Sequence, residues 1–197
     1  ADSGCFYLGF TGGEPFLRKD LVEIIDYASK LGLSLTITSH GQFITKETAD
    51  ALVAAGLTGI NISLDSLIPE KYDEIRGCKN GHEKAIRTIR MLSRTKIKVS
   101  LASIIMQPNL DEIENIINWA EKEGLQGVNF QPLIQNFSQE FNPVWFNNSE
   151  LWPRDYAKVA GLIDRLIEMK KSGKKIHNSI PQLKLFKVYF ANPLEHT

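Results

Sequence analysis

The chain has 197 residues, 43% of them apolar, and its 23 Lys+Arg are balanced by 23 Asp+Glu. That length suits one domain, or one domain with a short appendage, and the balanced charge gives no reason to expect a polyanionic partner such as nucleic acid. Two cysteines far apart in sequence, Cys5 and Cys78, exclude a disulfide framework and fit a reducing cytoplasm, the expected location.

CFYLGF (5–10) reads as a strand, with Cys5 at its buried start. An amphipathic helix is expected over 17–32, with Leu21, Ile24, Ile25 and Ala28 on one face and Gly32 as its stop. LSLTIT (33–38) is strand, and 46–56 is helix behind Thr45 as N-cap. GINISL (59–64) is strand, followed by a helix over about 81–93. IKVSLASII (97–105) is strand, 110–124 helix, and GVNFQPL (127–133) the last clear strand. Beyond Pro132 the chain turns aromatic and Asn-rich, a loop expected to close over something. A helix over about 153–172 follows, and the tail KLFKVYFANPLEHT reads as a further strand or the start of another region. No run is long or uniform enough to cross a bilayer, so no membrane partner is expected. The sequence opens almost on a strand with neither initiator Met nor signal-peptide pattern, as a piece of a longer protein would.

Five strands joined by helical crossovers imply a parallel α/β sheet, either a barrel or doubly wound. Such folds place their sites at the carboxyl ends of the strands. Each strand here runs into polar residues: Thr11-Gly12-Gly13-Glu14-Pro15, then Thr38-Ser39-His40-Gly41, then Ser63 and Asp65 with Arg76 beyond. The fourth gives Ser103, Gln107 and Asn109, and the fifth Asn129, Gln131 and Pro132. On one rim these groups suit a small hydroxylated, charged ligand. Plainer readings stand beside each. Gly12-Gly13-Glu14 is also an ordinary strand–helix turn with an acid at the helix start. Ser63 and Asp65 could bond loop backbone, and Arg76 could pair with Glu70 or Asp73 on the surface. Asn109 and Glu112 read first as an Asx-type turn, and His40 as hydrogen-bonded structure. Cys5 reads as inert, Cys78 as a loop thiol rather than a cluster ligand, and Trp145, Phe146 and Trp152 as packing rather than a substrate platform.

At the strand ends the sequence resembles the radical S-adenosylmethionine (radical SAM) superfamily. Thr11-Gly12-Gly13-Glu14-Pro15 is similar to that family's GGE motif at the end of its second barrel strand. Ser63 and Asp65 resemble its ribose and carboxylate region, and Arg76 the arginine that members with auxiliary clusters place on the ligand carboxylate. SLASIIMQPNLDEI (100–113) resembles the fifth strand and its Asn-x-x-Glu turn, and VNFQPLI (128–134) the sixth. The resemblance covers roughly residues 5–134. It departs in three places. The family's three-cysteine C-x-x-x-C-x-x-C motif is not in this sequence, Ser39-His40-Gly41 replaces the usual Thr-Asn-Gly, and Ser66 stands where many relatives carry glycine.

The resemblance implies a partial (β/α)6 TIM-like barrel over 1–134, open where a first strand would lie, with 135–197 bridging toward a further region. It implies S-adenosylmethionine as cofactor, with Gly12, Gly13, Glu14 and Pro15 at its amino end and Ser39 beside them. Ser63, Asp65 and Arg76 would hold ribose and carboxylate, and Gln131 and Leu133 flank adenine, with Asn109 nearby. In the intact parent a [4Fe-4S] cluster on upstream cysteines would drive reductive cleavage to a 5′-deoxyadenosyl radical that abstracts hydrogen from a peptide or small-molecule substrate. No metal ligand is expected in this chain, which alone should be inactive. Its open strand edge invites dimerisation. The alternatives are a cluster-free barrel lyase or epimerase, for which no phosphate loop is visible, and a non-catalytic binding domain.

Overall fold

The computed structural model of the protein describes residues 4–135, 140 and 142–196. Its single sheet contains β1 (Tyr7–Phe10), β2 (Ser34–Ser39), β3 (Gly59–Ser63), β4 (Lys98–Ile105) and β5 (Val128–Pro132). Every neighbouring pair is parallel, and spatial order equals chain order. Right-handed crossovers that always add the next strand on the same side put their helices on one face. A doubly wound sheet needs a reversal of strand order, and this sheet has none. It curls instead into a half-barrel.

The connecting helices are α1 (Leu21–Lys30), α2 (Lys46–Ala54), α3 (Pro69–Arg76), α4 (Gly81–Leu92) and α5 (Ile113–Lys122), followed by α6 (Tyr156–Lys171) and α7 (Ile180–Ala191). Side chains alternate across a strand, so the two faces of the sheet separate cleanly. Leu35, Ile37, Ile60, Ile62, Val99, Leu101, Ile105, Val128 and Phe130 are buried on the helical face. They meet Leu21 and Ile25 of α1, Leu52 of α2, Ile89 of α4, and Ile113, Ile116 and Ile117 of α5 in one core. Each such aliphatic side chain contributes about 1.5–3 kcal/mol by leaving water. Leu162, Ile163 and Leu166 of α6 and Leu183 of α7 join the same core.

The other face is concave and polar. Its rows follow from the register: Thr38 opposite Asn61, Asn61 opposite Ser100, Ala102 between Ser63 and Asn129, and Ile104 opposite Gln131. Asn61 Nδ2 donates to Thr38 Oγ1 at 3.4 Å, and the Tyr7 hydroxyl bonds Thr36 Oγ1.

Helix boundaries shift where a cap outranks periodicity. Residues 15–17 form a 3-10 turn and Arg18 is extended, so α1 begins only at Leu21. Another 3-10 turn, Gln107–Asn109, delays α5 to Ile113, and the Asp155 side chain accepts from Lys158 N to start α6 at Tyr156. Thr45 caps α2 as expected, accepting from Thr48 N. Two sequence expectations need correcting. The tail is helix, not strand: Ser179 and Gln182 form a reciprocal capping box, and Pro181 sits in the first turn. Cys5 is exposed rather than buried, because β1 has a neighbour on one side only. The expected closing loop after Pro132 lies partly outside the described residues.

The two sheet edges differ. Beyond β5 runs the segment 175–178, with a parallel bridge from Ile176 to Val128. Val128 N donates to Lys175 O and His177 N to Val128 O, both at 2.9 Å. Asn178 then stands in for a strand: its Oδ1 accepts from Phe130 N at 2.7 Å and its Nδ2 donates to Phe130 O at 2.9 Å. Gly127 allows this approach, since a Cβ there would stand 2.3 Å from the Lys175 carbonyl. Pro132 ends the edge without an N–H. At β1 nothing comparable covers the edge among the described residues, and Phe6, Tyr7 and Leu8 are exposed.

Candidate functional site

The carboxyl ends of the strands form the rim of the concave face. At β1 the chain turns through Gly12, whose φ of 139° is one that L side chains rarely adopt. Gly12 and Gly13 are exposed, and a Cβ on either would meet nothing within 4 Å. Internal packing therefore does not require Gly13; the space before it is open.

Glu14 fixes this turn. Its Oε1 accepts from Phe16 N at 3.1 Å, capping the 3-10 turn that Pro15 opens, and from Ser39 Oγ at 2.8 Å. Its Oε2 accepts from His40 N at 3.0 Å and lies 3.1 Å from His40 Nε2. His40 Nδ1 accepts from Gln42 N, which leaves the ring proton on Nε2, facing Glu14. Ser39 Oγ also accepts from Gly41 N at 2.9 Å. Only 5% of the Glu14 side chain is exposed. Glu14 thus joins the ends of β1 and β2, and His40 is part of the clamp.

At β3, Asp65 is 1% exposed. Its Oδ1 accepts from Ile104 N at 2.8 Å, and its Oδ2 lies 2.5 Å from Arg76 Nη2 as an ion pair without hydrogen-bond angles. Burial pushes the Asp65 carboxyl up, against the pull of Arg76 and the Ile104 N–H. Arg76 therefore pairs with neither Glu70 nor Asp73, and its buried Nε has no hydrogen-bond partner. Tyr72, one turn earlier on α3, is fully buried with its hydroxyl 3.4 Å from Ser63 O; burial raises it to about 12.

Asn109 is fully buried behind this pair. Its Nδ2 donates to Asp65 O and Ile104 O, and its Oδ1 accepts from Met106 N. All three bonds go to main chain, so Asn109 shapes the loops and does not face the rim. Glu112 works alongside. Its Oε2 accepts from Ser66 Oγ at 2.6 Å and Leu67 N at 3.1 Å, while Oε1 pairs with Lys71. Burial opposes the Glu112 charge, yet Lys71, Ser66 and the Leu67 N–H outweigh it and hold the carboxyl below its ordinary range. Sequence reasoning missed Lys71 and the staple it completes. Ser66 supplies one of its donors.

On β5, Gln131 is exposed, and Leu133 is half-buried with its carbonyl accepting from Tyr189 OH at 3.0 Å. Ser63 is half-exposed on the concave face. Trp145 meets Phe146 and Trp152 edge-on, Phe146 lies tilted against Trp152, and Trp152 packs edge-on to Tyr189 and tilted against Phe190 of α7, which is packing. A cavity of about 1040 Å³ lies among α2, α3 and α4 on the helical side, away from these groups. On the rim, by contrast, side chains tie strand ends together: Glu14 joins β1 to β2, and Asp65 and Asn109 join β3 to β4.

An iron–sulfur cluster needs several thiolates. This sequence has two cysteines, and among the described residues no group of three His, Cys, Asp or Glu could hold a metal. A cluster does not fit the residues present.

Comparison with known proteins gives the family and the fold. Residues 1–120 match the family model described as Radical SAM superfamily. The chain is 34% identical over 120 residues to PqqA peptide cyclase of Rhizobium meliloti, covering 61% of this chain and 32% of that protein. It is 34% identical over 168 residues to GTP 3',8-cyclase of Limosilactobacillus fermentum, covering 83% and 47%. Its fold matches the structure described as native anSMEcpe with bound AdoMet and Kp18Cys peptide, with a TM-score of 0.65 at 16% identity, covering 86% of this chain and 49% of that one. The chain spans a third to a half of the length of these relatives. It belongs to the radical SAM superfamily.

Proposed function

We propose that the chain is the S-adenosylmethionine-holding half-barrel of a larger radical SAM enzyme. The observation that carries this reading is the turn after β1, where the Gly12–Gly13 main chain is exposed, clamped from behind by Glu14 and open where both Cβ atoms would stand. Main-chain carbonyls of this turn receive the ligand ammonium. Glu14, already accepting from three groups and paired with the His40 ring, holds the turn with Pro15 and Ser39 and contributes negative charge behind it. Arg76, anchored by Asp65, takes the ligand carboxylate, and the Ser63 hydroxyl meets the ribose. Gln131 and Leu133 flank the adenine. Asn109 is a positioning residue that acts through Asp65.

Bound there, S-adenosylmethionine would supply an adenosyl group for hydrogen abstraction, chemistry that belongs to the cofactor. The cluster ligands lie in polypeptide outside this sequence, and the chain alone carries no radical activity. Its two unpaired thiols fit a reducing cytoplasm. The names of its relatives include a peptide cyclase and a nucleotide cyclase, so a peptide or a small molecule is the substrate. The test is equilibrium binding of S-adenosylmethionine to the intact protein and its Arg76→Lys variant. Loss of the planar guanidinium is expected to weaken binding roughly tenfold; an unchanged affinity contradicts the reading.

A further inference from the structure

We propose that the groove on the helical side of the sheet docks an acidic amphipathic helix of a partner protein. The cavity of about 1040 Å³ among α2, α3 and α4 follows α4 from His82 to Thr95, a length of about 20 Å at the helical rise. Ile86 and Met91, both half-buried, give it an apolar floor, with Ala49 of α2 and Pro69 of α3 beside them. Methionine on such a floor adapts to the shape that covers it. None of these residues belongs to the rim, so the two sites stand apart.

Most of the charge lining the groove is already spent. Lys46 pairs with Asp50 at 2.8 Å, and Arg90 with Glu123 at 2.9 Å. The Asp73 carboxylate accepts from Asn80 N at 2.6 Å and His82 N at 2.9 Å. It thereby occupies the amino end of α4, where a phosphate would otherwise find free N–H groups. Arg87 and Arg94 differ. Both are exposed, and neither makes a hydrogen bond or ion pair with any described residue. Seven residues apart, they stand about 10 Å from each other along the groove. Adjacent phosphates of a nucleotide need cations that converge on them, which this spacing does not give. Acids seven residues apart on a helix repeat at the same distance, with an apolar stripe between them to cover Ile86 and Met91. Glu83, in the first turn of α4, is the one acid of the lining without a partner among the described residues. The partner's acids are therefore expected at the Arg87–Arg94 end.

The experiment displays a phage library of helices of about 14 residues, the length of the groove, on a helical scaffold. Selection is on the intact protein, with counter-selection on its Arg87→Glu, Arg94→Glu double variant. Enriched helices are expected to carry acids seven residues apart beside an apolar stripe. A synthetic peptide of the enriched sequence is then titrated by fluorescence anisotropy. Arg87→Gln with Arg94→Gln should weaken it roughly tenfold, and so should Met91→Asp alone. The thermal midpoint of the Arg variant and its S-adenosylmethionine affinity should not change, because both side chains are exposed and unpaired. The proposal is overturned if no helix survives counter-selection, or if a scrambled peptide of the same composition binds equally well. Displacement of the peptide by ATP at matched ionic strength would make the groove a small-anion site and overturns it too. So does self-association of the wild-type chain that the Arg87→Glu, Arg94→Glu change abolishes, which would assign the groove to a second copy.

Discussion

Glu14 Oε2 lies 3.1 Å from His40 Nε2 and also accepts from His40 N, so one carboxylate holds the end of β1 against the end of β2. The same group caps the turn that displays Gly12 and Gly13. Glu14→Ala leaves the Ser39 hydroxyl and the Phe16 and His40 N–H groups without an acceptor. It should cost about 2–4 kcal/mol of stability, with weaker S-adenosylmethionine binding as a consequence. Glu14→Gln turns an NH₂ toward His40 and should cost less than Ala but more than zero. Chemical denaturation of the three proteins checks the order.

Arg76 partners a carboxylate that is 1% exposed. Arg76→Ala strands that charge and should destabilise by about 3–5 kcal/mol, whereas Asp65→Asn with Arg76→Met should cost clearly less than the two changes summed. A double-mutant cycle by urea unfolding measures the coupling; simple additivity contradicts the pairing.

How legible was this in the sequence? The five strands and most helices follow from apolar periodicity and stops such as Gly32, and the rim follows from the residues at the strand ends. Three features did not follow, each for a physical reason. The short α3 buries only Tyr72 and is otherwise polar, so it carried no periodic signal; Pro69 at its start was the available clue. The partners of Glu14 and Asn109 were not legible, because sequence shows residue type and not contacts. Their hydrogen bonds reach across 25 to 44 residues, to Ser39 and Asp65. Asn178 sits in a segment with no strand pattern, and its role exists only once Phe130 is beside it.

That role gives a third prediction. Asn178→Ala removes two bonds from the edge of β5 and should cost about 2–3 kcal/mol, with faster hydrogen exchange at the Phe130 amide. Asn178→Asp keeps the acceptor but sets a carboxylate against the Phe130 carbonyl, so it should be no better. Unchanged protection in both variants contradicts the edge-capping account.

Glu112 gives a pH signature. Its folded-state value lies below the ordinary 4.5, so its stabilisation is present above that pH and is lost as pH falls through the folded value. Glu112→Gln lacks this term. The stability gap between wild type and variant should be constant near neutrality and shrink in acid below about pH 4.5. A gap independent of pH rejects the Lys71–Ser66–Leu67 staple as the cause.

With β5 covered and β1 uncovered among the described residues, the isolated chain is predicted to self-associate through β1. Leu8→Lys should return it to a monomer in sedimentation velocity. A wild-type chain that stays monomeric at high concentration removes this proposal.

Gly13 offers the most direct test of the whole account. A side chain there meets no atom of the protein within 4 Å of its Cβ, so Gly13→Val should leave the fold intact and fill only the cradle. Calorimetric titration of S-adenosylmethionine into the intact protein should show clear binding, reduced at least roughly tenfold by Gly13→Val at an unchanged melting temperature. Equal affinity in the two proteins would mean that the turn after β1 does not receive the cofactor.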